Sequence, residues 1–176
     1  ARLASTGEAP SHFPAVLFPA EELRILPYNR VISDLAGLKE EDFLQQLSNI
    51  GELTQTSDSA PKQSGYVAIR LHSGWYQLHL NHNAEVLRSR QDPAAPEATL
   101  DAILLQQLVI EPILGVLDPH DDSRSIPVGG RDSINRIEQL VNARDAAVGF
   151  SLFPPTVNQM LAVADIGDVM PPKSTW

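Results

Sequence analysis

The residues best suited to chemistry lie in three short stretches. "LPYNR", Leu26 to Arg30, sets a tyrosine, an asparagine and an arginine beside a proline. A guanidinium offers a rigid fork of donors that matches carboxylate and phosphate oxygens two at a time. Strand alternation would send Tyr28 and Arg30 to one face. The same arginine would also serve as half of a surface ion pair. "VGGRDS", Val128 to Ser133, reads as a strand, two glycines and a helix start. Free N–H groups at a helix N-terminus bind phosphate, and Gly129 and Gly130 would let a ligand come close. Such a pair also serves simply as a turn. "PPKST", Pro171 to Thr175, stiffens the approach to a cation and two hydroxyls. In an extended chain Lys173 and Thr175 share one face and Ser174 points away. The ligand-binding candidates are therefore Arg30, Lys173, Thr175, Ser174, Tyr28, Gly129 and Gly130. No catalytic residue is identified.

Five histidines raise the question of a metal. His79 and His82 are three apart, but the first belongs to a strand and the second lies past its end, so they do not aim at one ion. "PHDD" supplies His120, Asp121 and Asp122 in a loop, without a fourth ligand at a recognisable spacing. No metal site is expected. Neither a nucleophile elbow nor a Walker loop occurs.

The bulk composition narrows the functional classes. The chain has 176 residues, 43% apolar and 20% charged, which suits one folded domain. Acidic residues number 22 against 13 basic ones, a net charge of -9. That balance argues against nucleic acid and against an anionic membrane surface. No apolar run is long enough to span a bilayer, and "ARLASTGEAP" has no apolar signal core. With no cysteine, disulfides and thiolate sites are excluded, and a reduced, cytoplasmic location is expected.

Positioning these groups requires a sheet and its helices. Residues 1–11 read as a linker. "HFPAVLF", His12 to Phe18, reads as a buried strand, and Leu23 to Ile32 as a second, at an edge or broken at Pro27. "KEEDFLQQLSNI" is a helix with Phe43, Leu44, Leu47 and Ile50 on one face and acids in its first turn. "TQTSDSAPKQSG" reads as a polar loop.

"YVAIRLHSGWYQLHL" reads as a hairpin turning on Ser73-Gly74. That turn would set His72 opposite Trp75 and pair Leu71 with Tyr76, Ile69 with Leu78 and Val67 with Leu80. Arg70, Gln77 and His79 would take the other face. Thr99 would cap a helix carrying Leu100, Ile103, Leu104 and Leu108, bent or ended by Pro112 and closed by Gly115. "SIPVGG" is a strand. A helix opening at Asp132 or Ser133 carries Ile134, Ile137, Leu140 and Val141. "AAVGFSLF" is a strand buried on both faces, and Thr156 caps a last helix closing at Gly167. Residues 170–176 form an extended tail. The fold class is α+β: a mixed, mostly antiparallel sheet with a two-residue-turn hairpin, covered by about four helices.

Taken together, several stretches resemble the family known as domain of unknown function 1015. They are "FPAVLFPAEELRILPYNRVISDLAGL", "LLQQLVIEPILGV" and the run from "VGGRDSINRIEQL" to "MPPKSTW", the last being the most specific. The resemblance runs from about Phe13 to Trp176 and is to the C-terminal half of such proteins. It implies a missing N-terminal half bearing an Asp-Gly-His-His-Arg motif, like the phosphate site of ParB/sulfiredoxin-like folds that include free-serine kinases. No such motif occurs in this chain, so the resemblance implies a fragment, inactive alone.

Two functions follow from that resemblance. One is the C-terminal part of a phosphotransferase that would use ATP with magnesium when complete. The other is a non-catalytic ligand-binding or protein-interaction module. The implied partners are the N-terminal half of the same family protein, a second copy of the chain, and a small phosphate-bearing ligand. The fragment itself is expected to need no cofactor.

Overall fold

Strand β1 (Asn29–Ile32) leads in chain order to β2 (Glu52–Thr56), β3 (Tyr66–Leu71), β4 (Gly74–His79), β5 (Ser125–Val128) and β6 (Val148–Leu152). They form a six-stranded sheet in the order β2-β4-β3-β6-β1-β5. Every pairing is antiparallel, where a mixed sheet was expected. The computed structural model describes residues 14–19, 22, 25–80, 100–119, 121–167 and 170. Among these, no helix is long and apolar enough to cross a membrane.

The hairpin turns one residue earlier than its sequence suggests. His72 and Ser73 are the loop residues and Leu71 stands opposite Gly74, so Ile69 pairs with Tyr76 and Val67 with Leu78. Gly74 has φ +147, a conformation that glycine adopts readily. It opens the return strand instead of sitting in the loop. The register therefore differs by two residues, which leaves every side chain on its expected face. Val67, Ile69, Leu71, Leu78 and Leu80 are buried, and Tyr76 packs half-buried against them.

Three further expectations fail for local reasons. Pro14–Phe18 is not a buried strand: Val16 and Leu17 are 74% and 94% exposed. Pro14 and Pro19 bracket the stretch and cannot donate to a ladder. The second expected strand shortens to Asn29–Ile32, after Pro27, and is central, lying between β6 and β5. Glu52–Thr56, expected to lie partly in a polar loop, is the edge strand β2; its apolar signal is Leu53 alone.

Helices cover both faces. α1 (Glu40–Ile50) buries Phe43 and Leu47 and keeps Glu40, Glu41 and Asp42 in its first turn. The helix expected from Leu100 is continuous but not uniform. α2 (Asp101–Leu105) widens into a π-helical turn, Gln106–Ile110, and resumes as α3 (Glu111–Leu114). Pro112 neither ends nor breaks it. In a regular helix its ring would meet the carbonyl of Leu108, and the wider turn lies there. Gly115 closes the helix at φ +66, as expected. The π turn also shifts the buried stripe to Leu104, Leu105, Val109, Ile110 and Leu114, leaving Ile103 and Leu108 half-buried. Leu100 is the residue before α2, and Thr99 lies outside the described residues.

α4 (Ser133–Asn142) packs on the opposite face, bringing Ile137, Leu140 and Val141 onto Val31, Ala68 and Val128. Its approach is close enough that a Cβ on Gly149 would strike Ile137. α5 (Val157–Asp165) begins at Thr156 with the expected cap. The hydroxyl accepts from the Gln159 N–H while the Gln159 side chain returns to the Thr156 N–H. β6 is buried along its whole length, as expected, because helices cover both faces of the sheet at this strand.

Candidate anion-binding site

All four residues of β1 are buried, so strand alternation divides them between the two helical layers. Asn29 and Val31 face α4; Arg30 and Ile32 face α2 and the π turn. Asn29 is consumed by the fold. Its amide donates to Ser133 Oγ at 3.1 Å, and its carbonyl oxygen accepts from the Leu152 N–H at 2.9 Å. One side chain thus joins β1, the end of β6 and the start of α4.

Arg30 differs. It is 6% exposed, and its Nη1 donates to Gln106 Oε1 at 3.3 Å. Gln106 is the first residue of the π turn, and its own amide donates to the Val116 carbonyl at 2.7 Å. That second bond fixes which end of the amide Arg30 meets. The ion pairs among the described residues are Lys62–Asp58, Arg124–Asp34 and Arg124–Asp122, so no described carboxylate neutralises Arg30. Burial alone holds its guanidinium below the usual arginine value.

One edge of that guanidinium has no partner among the described residues. Arg70 Nε and Ser151 Oγ are the fully buried side-chain atoms without a partner among the described residues. Nε and Nη2 of Arg30 make no hydrogen bond to a described residue and are not among those atoms. Side by side, these two N–H groups form the edge that binds a planar or tetrahedral oxyanion with two parallel bonds.

The other candidates fall into distinct places. Tyr28 immediately precedes β1, is half-buried and is already engaged. Gly129 and Gly130 lead into α4, whose start lies across the sheet from Gln106. Gly130 has φ +89, and Asp132 stands at the helix start, a carboxylate where a phosphate would sit. Lys173, Ser174 and Thr175 lie outside the described residues, as do His82 and His120. His79 stacks on Tyr66 with ring centroids 4.1 Å apart.

Asp101, a buried carboxylate, accepts from Ser64 Oγ at 2.9 Å and from the Gly65 N–H at 3.0 Å, tying the loop before β3 to α2. The cleft beside it has a free volume of about 20 Å³, the room of one water. Magnesium needs carboxylate or phosphate oxygens. The described residues bring no carboxylate into ion-pair range of Arg30, so they do not fit a magnesium ion beside it.

Gln106 was not singled out by sequence. A glutamine inside "LLQQLVIEPIL" is a visible anomaly in an apolar run, but the π turn that it opens is not written in the apolar spacing.

No curated protein matches the chain, and no solved structure matches it. A family model, "Protein of unknown function (DUF1015)", matches residues 1–118. The matched stretch is N-terminal in the chain, whereas the wording of the last segment had placed the strongest likeness at the C-terminal end. It includes Arg30, Gln106 and Val116 and stops before β5. With 118 of its 176 residues under that model, the chain belongs to the DUF1015 family of proteins of unknown function.

Proposed function

We propose that the chain binds a small phosphate-bearing ligand, with Arg30 as its principal contact. The observation that carries this reading is a nearly buried guanidinium whose described side-chain partner is a neutral amide. An ionised group withdrawn from water is costly unless something opposite pairs with it. A bound oxyanion would supply that pair. Lys173 and Thr175 are proposed as the second contact, with Ser174 left to bond backbone. Tyr28 immediately precedes β1 and would border the ligand, whereas the Gly129–Gly130 turn leads to the other face of the sheet and is not assigned to this site. In the longer reading, this chain supplies ligand contacts to a ParB/sulfiredoxin-like phosphotransferase. What suggests this is the resemblance of its segments to the DUF1015 family, whose ParB/sulfiredoxin-like Asp-Gly-His-His-Arg motif lies outside this chain, and the reacting groups would come from elsewhere.

Isothermal titration of phosphoserine and of ATP into the chain and into its Arg30→Ala and Lys173→Ala variants tests the reading. Loss of one charge-assisted bond corresponds to roughly 10- to 100-fold weaker binding in each variant. Equal affinity in all three would reject both assignments.

An interaction module is the second reading. The observation favouring it is the exposed apolar stretch Val16, Leu17 and Phe18. Under that reading, Val16→Ser with Leu17→Ser abolishes partner capture and leaves phosphoserine titrations unchanged.

A further inference from the structure

Gln106 sits where a glutamate would complete an ordinary internal ion pair with Arg30. We infer that Gln106 is the residue that keeps Arg30 open to an oxyanion, acting as a positioning and specificity-determining group; this rests on the anion-binding reading above.

Three features carry the inference. First, the amide takes only Nη1, leaving the Nε–Nη2 edge for two parallel bonds to a ligand. Second, the amide is itself held by the Val116 carbonyl at 2.7 Å, and its nitrogen lies 3.4 Å from the Leu117 carbonyl. The guanidinium is therefore anchored without being neutralised. Third, Gln106 opens the π turn. Such turns shift the phase of the side chains that follow, so the glutamine stands where an otherwise apolar helix changes phase. An amide and a carboxylate have the same shape but differ by a full charge. In Gln106→Glu the carboxylate would also lose the donor that meets the Val116 carbonyl, but it would pair with Arg30 as a bound anion does. The substitution therefore acts as a built-in competitor for the site.

The test uses the 176-residue chain, inorganic phosphate as the probe and chloride at equal ionic strength as the reference. Acetate is run in parallel to separate phosphate from carboxylate recognition. Wild type should gain thermal stability with phosphate, as linkage requires of a ligand that binds the folded state. Gln106→Glu should lose roughly 10- to 100-fold in phosphate affinity. Gln106→Met, similar in size and uncharged, should keep the larger part of that affinity. A merely structural glutamine would give the opposite pattern, with the methionine variant losing as much as the glutamate.

If wild type responds to phosphate and Gln106→Glu responds equally, the role assigned to Gln106 is wrong while the anion site stands. If wild type responds to neither anion beyond chloride, the anion site and the role of Gln106 both fall. If acetate stabilises wild type and phosphate does not, Gln106 keeps its role and the ligand is a carboxylate.

Discussion

Arg30 and Arg124 are the same residue in opposite circumstances. Arg124 lies in the turn that follows α3, and its guanidinium is saturated. Nε and Nη2 grip Asp122, with the shortest contact 2.7 Å; Nη1 and Nη2 also donate to the Leu114 and Gly115 carbonyls; and Asp34 approaches within 3.5 Å. Arg124 thereby satisfies carbonyls that the end of a helix leaves without partners. Hydrogen bonds to Asp122 push its guanidinium above the usual arginine value, and the same bonds hold the Asp122 carboxyl below its own. Arg30 is more deeply buried, meets one neutral oxygen, and is pushed the other way. An arginine that serves the fold uses its whole fork. Arg30 leaves an edge without a described partner, as the proposed ligand contact requires.

The largest expected effect sets the scale for that contrast. Ile69 lies on the same sheet face as Arg30, with Phe150 between them on β6. Ile69→Ala should lower unfolding stability by about 2–5 kcal/mol, because it leaves a cavity in the core. Denaturant unfolding measures it. A loss under about 1 kcal/mol would mean that this face is loosely packed, against the usual cost of such truncations.

Arg30→Met comes next and has the opposite sign. Replacing a buried charge by an apolar side chain of similar reach is often neutral or stabilising, by about 1–4 kcal/mol. The ligand-free variant should therefore be no less stable than wild type. A clear loss of stability would place Arg30 with Arg124 as a structural group.

Arg124→Met should destabilise the chain and leave phosphate affinity unchanged, since its contacts are with Asp122, Asp34 and two carbonyls. Denaturant melts paired with phosphate titrations check both halves of that expectation.

The smallest effect is in acid. Asp122 is held below the usual carboxylate value in the folded chain. Its contribution is therefore complete above the unfolded carboxylate value and is lost as pH falls through the folded one. In Arg124→Met the side-chain bond, the largest cause of that shift, is gone while the backbone N–H bond of residue 124 remains, so the acid fall in stability should lose part of this component. Arg30, displaced downward from a high value, burdens the folded state at neutral pH and is relieved only as pH rises through its folded value. Arg30→Met should leave the acid limb as it is. A melting-temperature series from pH 7 downward separates the two.

What the sequence disclosed follows from how strongly each signal is physically determined. The hairpin faces were legible because alternation has a period of two and survives a two-residue error in the turn. α1 and the Thr156 cap were legible because each joins a periodic stripe to chemistry at its first turn, and α4 from its apolar stripe alone. β2 was not, since an exposed edge strand with Leu53 as its one apolar residue resembles a loop. Pro14–Phe18 misled because apolar composition alone says nothing of the donors that prolines remove. Arg30 was singled out for its chemistry, but its partner was hidden. Gln106 is separated from it by 76 residues and stands at the first position of a π turn.

The most direct measurement is the proton–nitrogen NMR signal of the Arg30 Nε–H, assigned through its loss in Arg30→Lys and followed as inorganic phosphate replaces chloride at constant ionic strength. The expected result is a saturable shift of that signal, with the Arg124 Nε–H unmoved. An Arg30 signal that stays fixed through the titration, or moves in step with that of Arg124, would contradict the assignment of an open anion site at β1.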